Sequence, residues 1–167
     1  MPKKQPTKRQ PRYLDQTSTQ TLEEGLKEYY AANPHVTLPS TQPTEFGNIL
    51  AAHDALHVIY ACDTGMYDEL RLLPMSWWTS ECTFKKYLSM KNSPAVDQMY
   101  DDMIREKGSL WLYRSVLKVM PRLVPTVVSL WFKTRDRKKQ LPFFGYTQLL
   151  DQSLLKIRQD FDLLPLI

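Results

Sequence analysis

The sequence predicts an all-α fold, a single-domain bundle of about six helices with several kinked by proline, and three observations predict it. Apolar residues recur at three- and four-residue steps from residue 18 nearly to the end, with few of the alternating stretches a strand needs. Glycine is scarce, five in 167 residues, and helix-opening signals recur along the chain. At 43% hydrophobic and 24% charged residues, a chain of this length buries one core rather than two.

Residues 1–17 are rich in Pro, Gln, Lys and Thr and nearly empty of apolar side chains, so the expectation there is a disordered basic tail ahead of a domain over 18–167. Thr21 and Glu24 read as a capping box opening a helix whose Leu22, Leu26, Tyr29 and Tyr30 face one side and which Asn33-Pro34 stops. A polar loop leads to a second helix over about 44–61, with Phe46, Ile49, Leu50, Leu56 and Ile59 as its packing surface. Asp63-Thr64-Gly65 breaks that run, and Asp63 is placed to cap a helix from Met66 that carries Glu69, Leu70 and Leu73 and that Pro74 should kink. Ser93-Pro94 is an N-cap followed by a first-turn proline, and Gly108 ends that helix. The apolar stretch 109–132 is punctuated by Pro121 and Pro125, and Leu150, Leu154, Ile157 and Phe161 mark a closing helix.

The net charge of +4 is a local effect. Lys3, Lys4, Lys8, Arg9 and Arg12 precede the first acidic residue, Asp15, and without these five the rest of the chain is close to neutral. Nucleic-acid binders carry their cations on the folded face, so this pattern argues against a nucleic-acid partner. Cys62 and Cys82 stand twenty apart with no C-x-x-C spacing, which signals neither a disulfide framework nor a thiolate metal site. No secretory leader is visible, and the expected setting is a bacterial cytoplasm or the inner face of its membrane.

Only three histidines occur, and two of them lie in HDALHVIYACDTGMYDE, residues 53–69. On a helix His53 and His57 are about 40° apart and Asp54 about 100° from His53, so one ion can see all three side chains. An antiparallel return after the 63–65 turn brings Glu69 to about the height of His57 at ~1.5 Å of rise per residue. Burying Asp54 and Glu69 beside Leu56, Ile59 and Leu70 is costly without a cation. The expected metal set is therefore His53, Asp54, His57 and Glu69, with zinc first and iron, cobalt or manganese also suited. Asp54 and Glu69 are the carboxylates expected to take part in any reaction there, with Tyr60 or Asp68 as further candidate general acids. His35 falls in a loop and is expected at the surface.

The string His53-Asp54-x-x-His57, eleven residues, then Glu69 resembles the signature of the coenzyme Q biosynthesis protein four family of the ubiquinone pathway. Thr64 stands where that family often has threonine, and the ending SLLKIRQDFDLLPLI is similar to its last helix. Eukaryotic members carry an arginine and a glutamate where this chain has Leu50 and Ala51, and a glycine where it has Asp68. The resemblance implies an all-helical fold, a zinc or related divalent site at the same four residues, a pocket for a polyprenyl tail and peripheral association with a membrane. It further implies work at ring carbon one of a polyprenylated hydroxybenzoate, where a carboxyl group is lost and a hydroxyl is installed.

Two other classes fit the same residues. One is a non-catalytic prenyl-lipid-binding scaffold that organises quinone-biosynthesis enzymes. The other is a metal-dependent phosphohydrolase of the His-Asp type, which needs a further upstream histidine that only His35 offers. Trp77, Trp78, Phe84, Trp111, Phe143 and Phe144 are available to line an isoprenoid channel, although at helical spacing such residues are more often core. Arg114, Lys118 and Arg122 recur every four residues in the 109–132 segment and leave too short an apolar run for a bilayer-crossing helix. That basic row reads as a solvated face or as a surface meeting anionic lipid, and the apolar excess around it suggests a homodimer.

Overall fold

In the computed structural model, described for residues 10–91, 94–137 and 139–167, the chain forms seven α-helices and three short 3-10 helices, with no strand among the described residues. The helices are α1 Leu22–Ala32, α2 Thr44–Ile59, α3 Met66–Thr79, α4 Phe84–Lys91, α5 Pro94–Lys107, α6 Ser109–Thr134 and α7 Leu154–Asp160. The all-α expectation holds.

The core is built around α2, which α1, α3, α7 and all three 3-10 helices touch. From Ala52 to Tyr60 only His53 breaks a continuous run of buried positions, so the second half of α2 has neighbours on nearly every side. Of its expected packing surface, Phe46, Leu56 and Ile59 are buried, while Ile49 and Leu50 are half-buried. The capping box forms as read: the Glu24 amide donates to Thr21 Oγ1 at 3.2 Å and the Thr21 amide to Glu24 Oε2 at 2.9 Å. Gly25 lies where α1 crosses α2, and a Cβ there would stand 2.6 Å from Val58 Cγ1, so the crossing needs a residue without a side chain.

Several expectations are corrected. The disordered tail over 1–17 lies partly outside the described residues, but Arg12–Leu14 is a 3-10 helix and Tyr13 is completely buried. Glu28 accounts for this order, because its carboxylate accepts from the Arg12 and Tyr13 amides and from Gln20 Nε2. Asp63 does not cap α3: Gly65 occupies that position, and the Asp63 carboxylate accepts from the Thr64 amide instead. The closing helix starts later than its apolar stripe suggests, since Ser153 is the N-cap and accepts from the Lys156 amide. The segment before it forms the 3-10 helix Phe144–Leu149. The proline-bearing helices α3 and α6 each continue as one helix through Pro74 and through Pro121 and Pro125. Gly108 ends α5 with φ +81°, and the cap expected of Ser93 lies outside the described residues.

One core residue was not anticipated. Arg158 on α7 is fully buried, and its guanidinium donates to the carbonyls of Ile59, Val58, Tyr13 and Asp15 at 2.6–3.0 Å. Two of these are last-turn carbonyls of α2 at the negative end of its dipole; the Val58 carbonyl also accepts from the Ala61 amide at 3.3 Å. Desolvation lowers the Arg158 pKa to about 10, still far above neutrality, so the cation persists. This clamp fixes the end of α2, and thereby the turn through Ala61 at φ 52° that sends the chain into α3.

Candidate metal centre

Helices α2 and α3 face each other across that turn. His53 and His57 lie one turn apart on α2, with ring centroids 4.7 Å apart and planes at 71°. Glu69 projects from the first turn of α3, where its amide closes onto the Gly65 carbonyl at 3.0 Å. Its carboxylate straddles the two rings, with Oε2 3.6 Å from His53 Nε2 and Oε1 3.3 Å from His57 Nε2. One ligand atom from each of the three lies within 4.8 Å of the others.

Each residue has its own support. His57 is completely buried and stacked against Tyr29, with centroids 5.5 Å apart and planes at 27°. The Glu69 oxygen is within ion-pair distance of His57 Nε2 but off the hydrogen-bonding direction, so both His57 ring nitrogens lack a hydrogen bond. Burial works against the charge on Glu69, but His57 and His53 outweigh it and hold the carboxyl below its ordinary range. Desolvation also opposes a charged His53, yet the carboxylates of Asp54 and Glu69 outweigh it and raise its pKa.

These three residues could hold a metal ion. Tetrahedral ligands about 2.1 Å from zinc stand about 3.4 Å from one another; each Glu69 oxygen is near that distance from one imidazole, at 3.6 and 3.3 Å, while the three ligand atoms taken one per residue lie within 4.8 Å. An imidazole with both nitrogens buried and unbonded needs a partner, and a cation between His57 and Glu69 would supply one.

Asp54 does not join the three. It is 3% exposed; its Oδ2 accepts from the Tyr30 hydroxyl at 2.8 Å, and its Oδ1 lies 3.8 Å from His53 Nδ1. Glu69 therefore faces one nitrogen of His53 and Asp54 the other, the arrangement of a carboxylate that orients a metal-binding imidazole from behind. The expected four-residue set becomes two histidines and one glutamate, with Asp54 and Tyr30 outside it. The reason is angular: about 100° around α2 from His53, a side chain as short as aspartate turns toward α1 and not toward α3.

The further candidates fall elsewhere. The Tyr60 hydroxyl is buried and 2.6 Å from Thr79 Oγ1, so it is committed to α3. Asp68 accepts from the Asp63 amide at 3.1 Å and pairs with Arg71 at 3.2 Å, which makes it a brace for the turn. Arg71 also donates to Cys62 Sγ at 3.1 Å, and burial pushes that thiol up to about 12. His35 is exposed, as expected, and lies 3.3 Å from Thr64 Oγ1.

A groove of about 470 Å³ runs beside α2, lined by Glu45, Ile49, Met90, Phe144 and Tyr146 among others. Ile49, one of its lining residues, is one turn ahead of His53 on the same helix. Of the six aromatics considered for a channel, Phe144 alone is among these lining residues. Phe143 is core, Trp78 packs against the core, Trp77 packs on Phe84, and Trp111 is exposed on α6. Tyr29, Tyr30 and Tyr146 were missed as site residues. The adjacent tyrosines of α1 were the available signal, because neighbours 100° apart cannot both lie on one narrow stripe.

No family model, no curated protein and no solved structure matches this chain.

Proposed function

We propose that this protein holds a divalent metal ion, zinc first among the candidates, through His53, His57 and Glu69, and that the centre acts on ring carbon one of a polyprenylated hydroxybenzoate, where the carboxyl group leaves as carbon dioxide and a hydroxyl takes its place with dioxygen as the oxidant. The carrying observation is that Glu69 reaches both imidazoles at 3.3 and 3.6 Å while neither nitrogen of the buried His57 has a hydrogen bond. Two histidines and one carboxylate are three protein ligands, a number that leaves a coordination position for a substrate oxygen. The bound ion would supply Lewis acidity for negative charge developing on the ring. The chain's part is to orient His53 through Asp54, to shield His57 with Tyr29, and to offer an aromatic and aliphatic groove beside α2. The motif likeness to the ubiquinone-pathway family supplies the substrate class.

The scaffold reading is the second one, and a specific observation favours it. Tyr60 and Asp68, the two candidate general acids, are engaged with Thr79 and with Arg71 and Asp63, which leaves little proton-transfer machinery beyond the centre itself. The test is metal-loaded protein given a prenylated hydroxybenzoate, with and without oxygen, followed for carbon dioxide release. Release by wild type that disappears in Glu69→Gln supports the enzyme. Retention of the prenyl compound with no release under either condition supports the scaffold.

A further inference from the structure

His57 is a candidate ligand without a polar anchor. A metal-binding imidazole is ordinarily oriented by a hydrogen bond from its second ring nitrogen. His53 has Asp54 behind it, with Oδ1 3.8 Å from Nδ1, whereas neither nitrogen of His57 has a hydrogen bond. The direction of the His57 ring is therefore set by packing. His53 stands edge-on to it with centroids 4.7 Å apart, and the Tyr29 ring stacks on it at 5.5 Å. Tyr29 in turn meets the ring of Tyr13, at 5.8 Å with planes at 73°. Both tyrosines are buried, so Tyr13, Tyr29 and His57 form a chain of ring contacts that leads from the N-terminal segment to the site.

The outer end of this chain is held from two sides. The Tyr13 amide donates to Glu28 Oε2 on α1 at 3.1 Å, and the Tyr13 carbonyl accepts from Arg158 Nη2 on α7 at 2.8 Å. Asn33 Nδ2 donates to the Tyr29 carbonyl at 3.1 Å and stands 3.5 Å from the Tyr13 hydroxyl, which ties the two tyrosines together. Interiors are close-packed, so truncating a fully buried ring opens a space beside Tyr29 into which that ring can shift. His57, which no hydrogen bond fixes, is free to follow it.

We propose that Tyr13 is a positioning residue of the candidate metal centre, acting through Tyr29 to hold His57 Nε2 toward Glu69, and that the N-terminal segment is thereby part of the site. The proposal rests on the metal-binding reading above. By linkage the coupling is reciprocal: docking of the segment raises affinity for the ion, and the ion holds the segment down by the same factor.

The test is titration of the full chain with cobalt(II), followed by the visible absorption of the bound ion, which reports ligand geometry, and by hydrogen exchange at the Tyr13 amide. Wild type should take up one ion per chain, and the bound ion should slow that exchange about tenfold. Tyr13→Leu should weaken cobalt binding about 10- to 100-fold, the effect of losing an outer-shell partner, and should change the absorption band. Tyr13→Phe keeps the ring and should match wild type in both. Glu28→Gln loosens the segment without altering a core side chain and should weaken binding in the same direction, which keeps the proposal falsifiable should Tyr13→Leu not fold. Leu141→Ala is the control: Leu141 is fully buried but hydrogen-bonded to Thr79 and Glu81 at the far end of α3 from Glu69, so this variant should lose stability and keep the affinity and band of wild type. Wild type that takes up no cobalt overturns the metal reading and this proposal together. With cobalt bound by wild type, three results each overturn the proposal alone: affinity and band unchanged in Tyr13→Leu and Glu28→Gln, an equal loss of affinity in Leu141→Ala, or exchange at the Tyr13 amide that ignores the metal.

Discussion

The Tyr30 hydroxyl donates to Asp54 Oδ2 at 2.8 Å, joining α1 to the back of the candidate metal centre. Burial and the Asp54 charge raise the Tyr30 pKa well above its ordinary value, so the phenol stays a donor throughout the working range. If Asp54 orients His53 rather than binding the ion, Tyr30→Phe and Asp54→Asn should keep one ion per chain while weakening affinity about 10- to 100-fold. His57→Ala should lose the ion. Metal titration by calorimetry distinguishes these outcomes, and complete loss of metal in Asp54→Asn would restore the aspartate as a ligand.

Metal removal should destabilise the domain. An ion at about 100 times its dissociation constant stabilises the folded state by about 2.7 kcal/mol, and a protein of this size shifts its melting temperature by about 2–4 °C per kcal/mol. A chelator should therefore lower the Tm by about 5–10 °C in wild type and leave His57→Ala unmoved, as scanning calorimetry would record.

Glu28 sets an acid limit on the N-terminal segment. Burial raises its pKa, but the Arg12 and Tyr13 amides and Gln20 outweigh that, and the net effect is a value below the ordinary one. A carboxyl with a depressed native pKa stabilises the fold above its unfolded pKa and loses that contribution as pH falls through the native value. Protection of the Tyr13 amide from hydrogen exchange should thus fall on acidification. Glu28→Gln should reduce it already at neutral pH and cost about 1–2 kcal/mol.

Removing the Arg158 cation should be among the most damaging changes outside the site. Arg158→Met leaves the buried carbonyls of Tyr13 and Ile59 without a donor, at about 1–3 kcal/mol for each group left unsatisfied. A loss of about 3 kcal/mol or more is expected in urea unfolding. Lysine should not rescue it, because a single ammonium cannot span four carbonyls.

By itself the sequence determined the helical class, the capping box at Thr21 and Glu24, the stop at Gly108, and the meeting of His53, His57 and Glu69. All of these are local, set by spacing along one helix or across one short turn, where 3.6 residues per turn leaves few choices. Tertiary structure alone decided which polar groups complete the centre. Asp54 pairs with Tyr30 across 24 positions and Arg158 reaches Ile59 across 99. Hydropathy reads a buried tyrosine or arginine as ordinary amphipathic surface, and the direction of a short carboxylate depends on which helix packs against it. The same holds for Tyr13, placed in a tail by its polar neighbours and held in the core by a glutamate fifteen residues further along the chain.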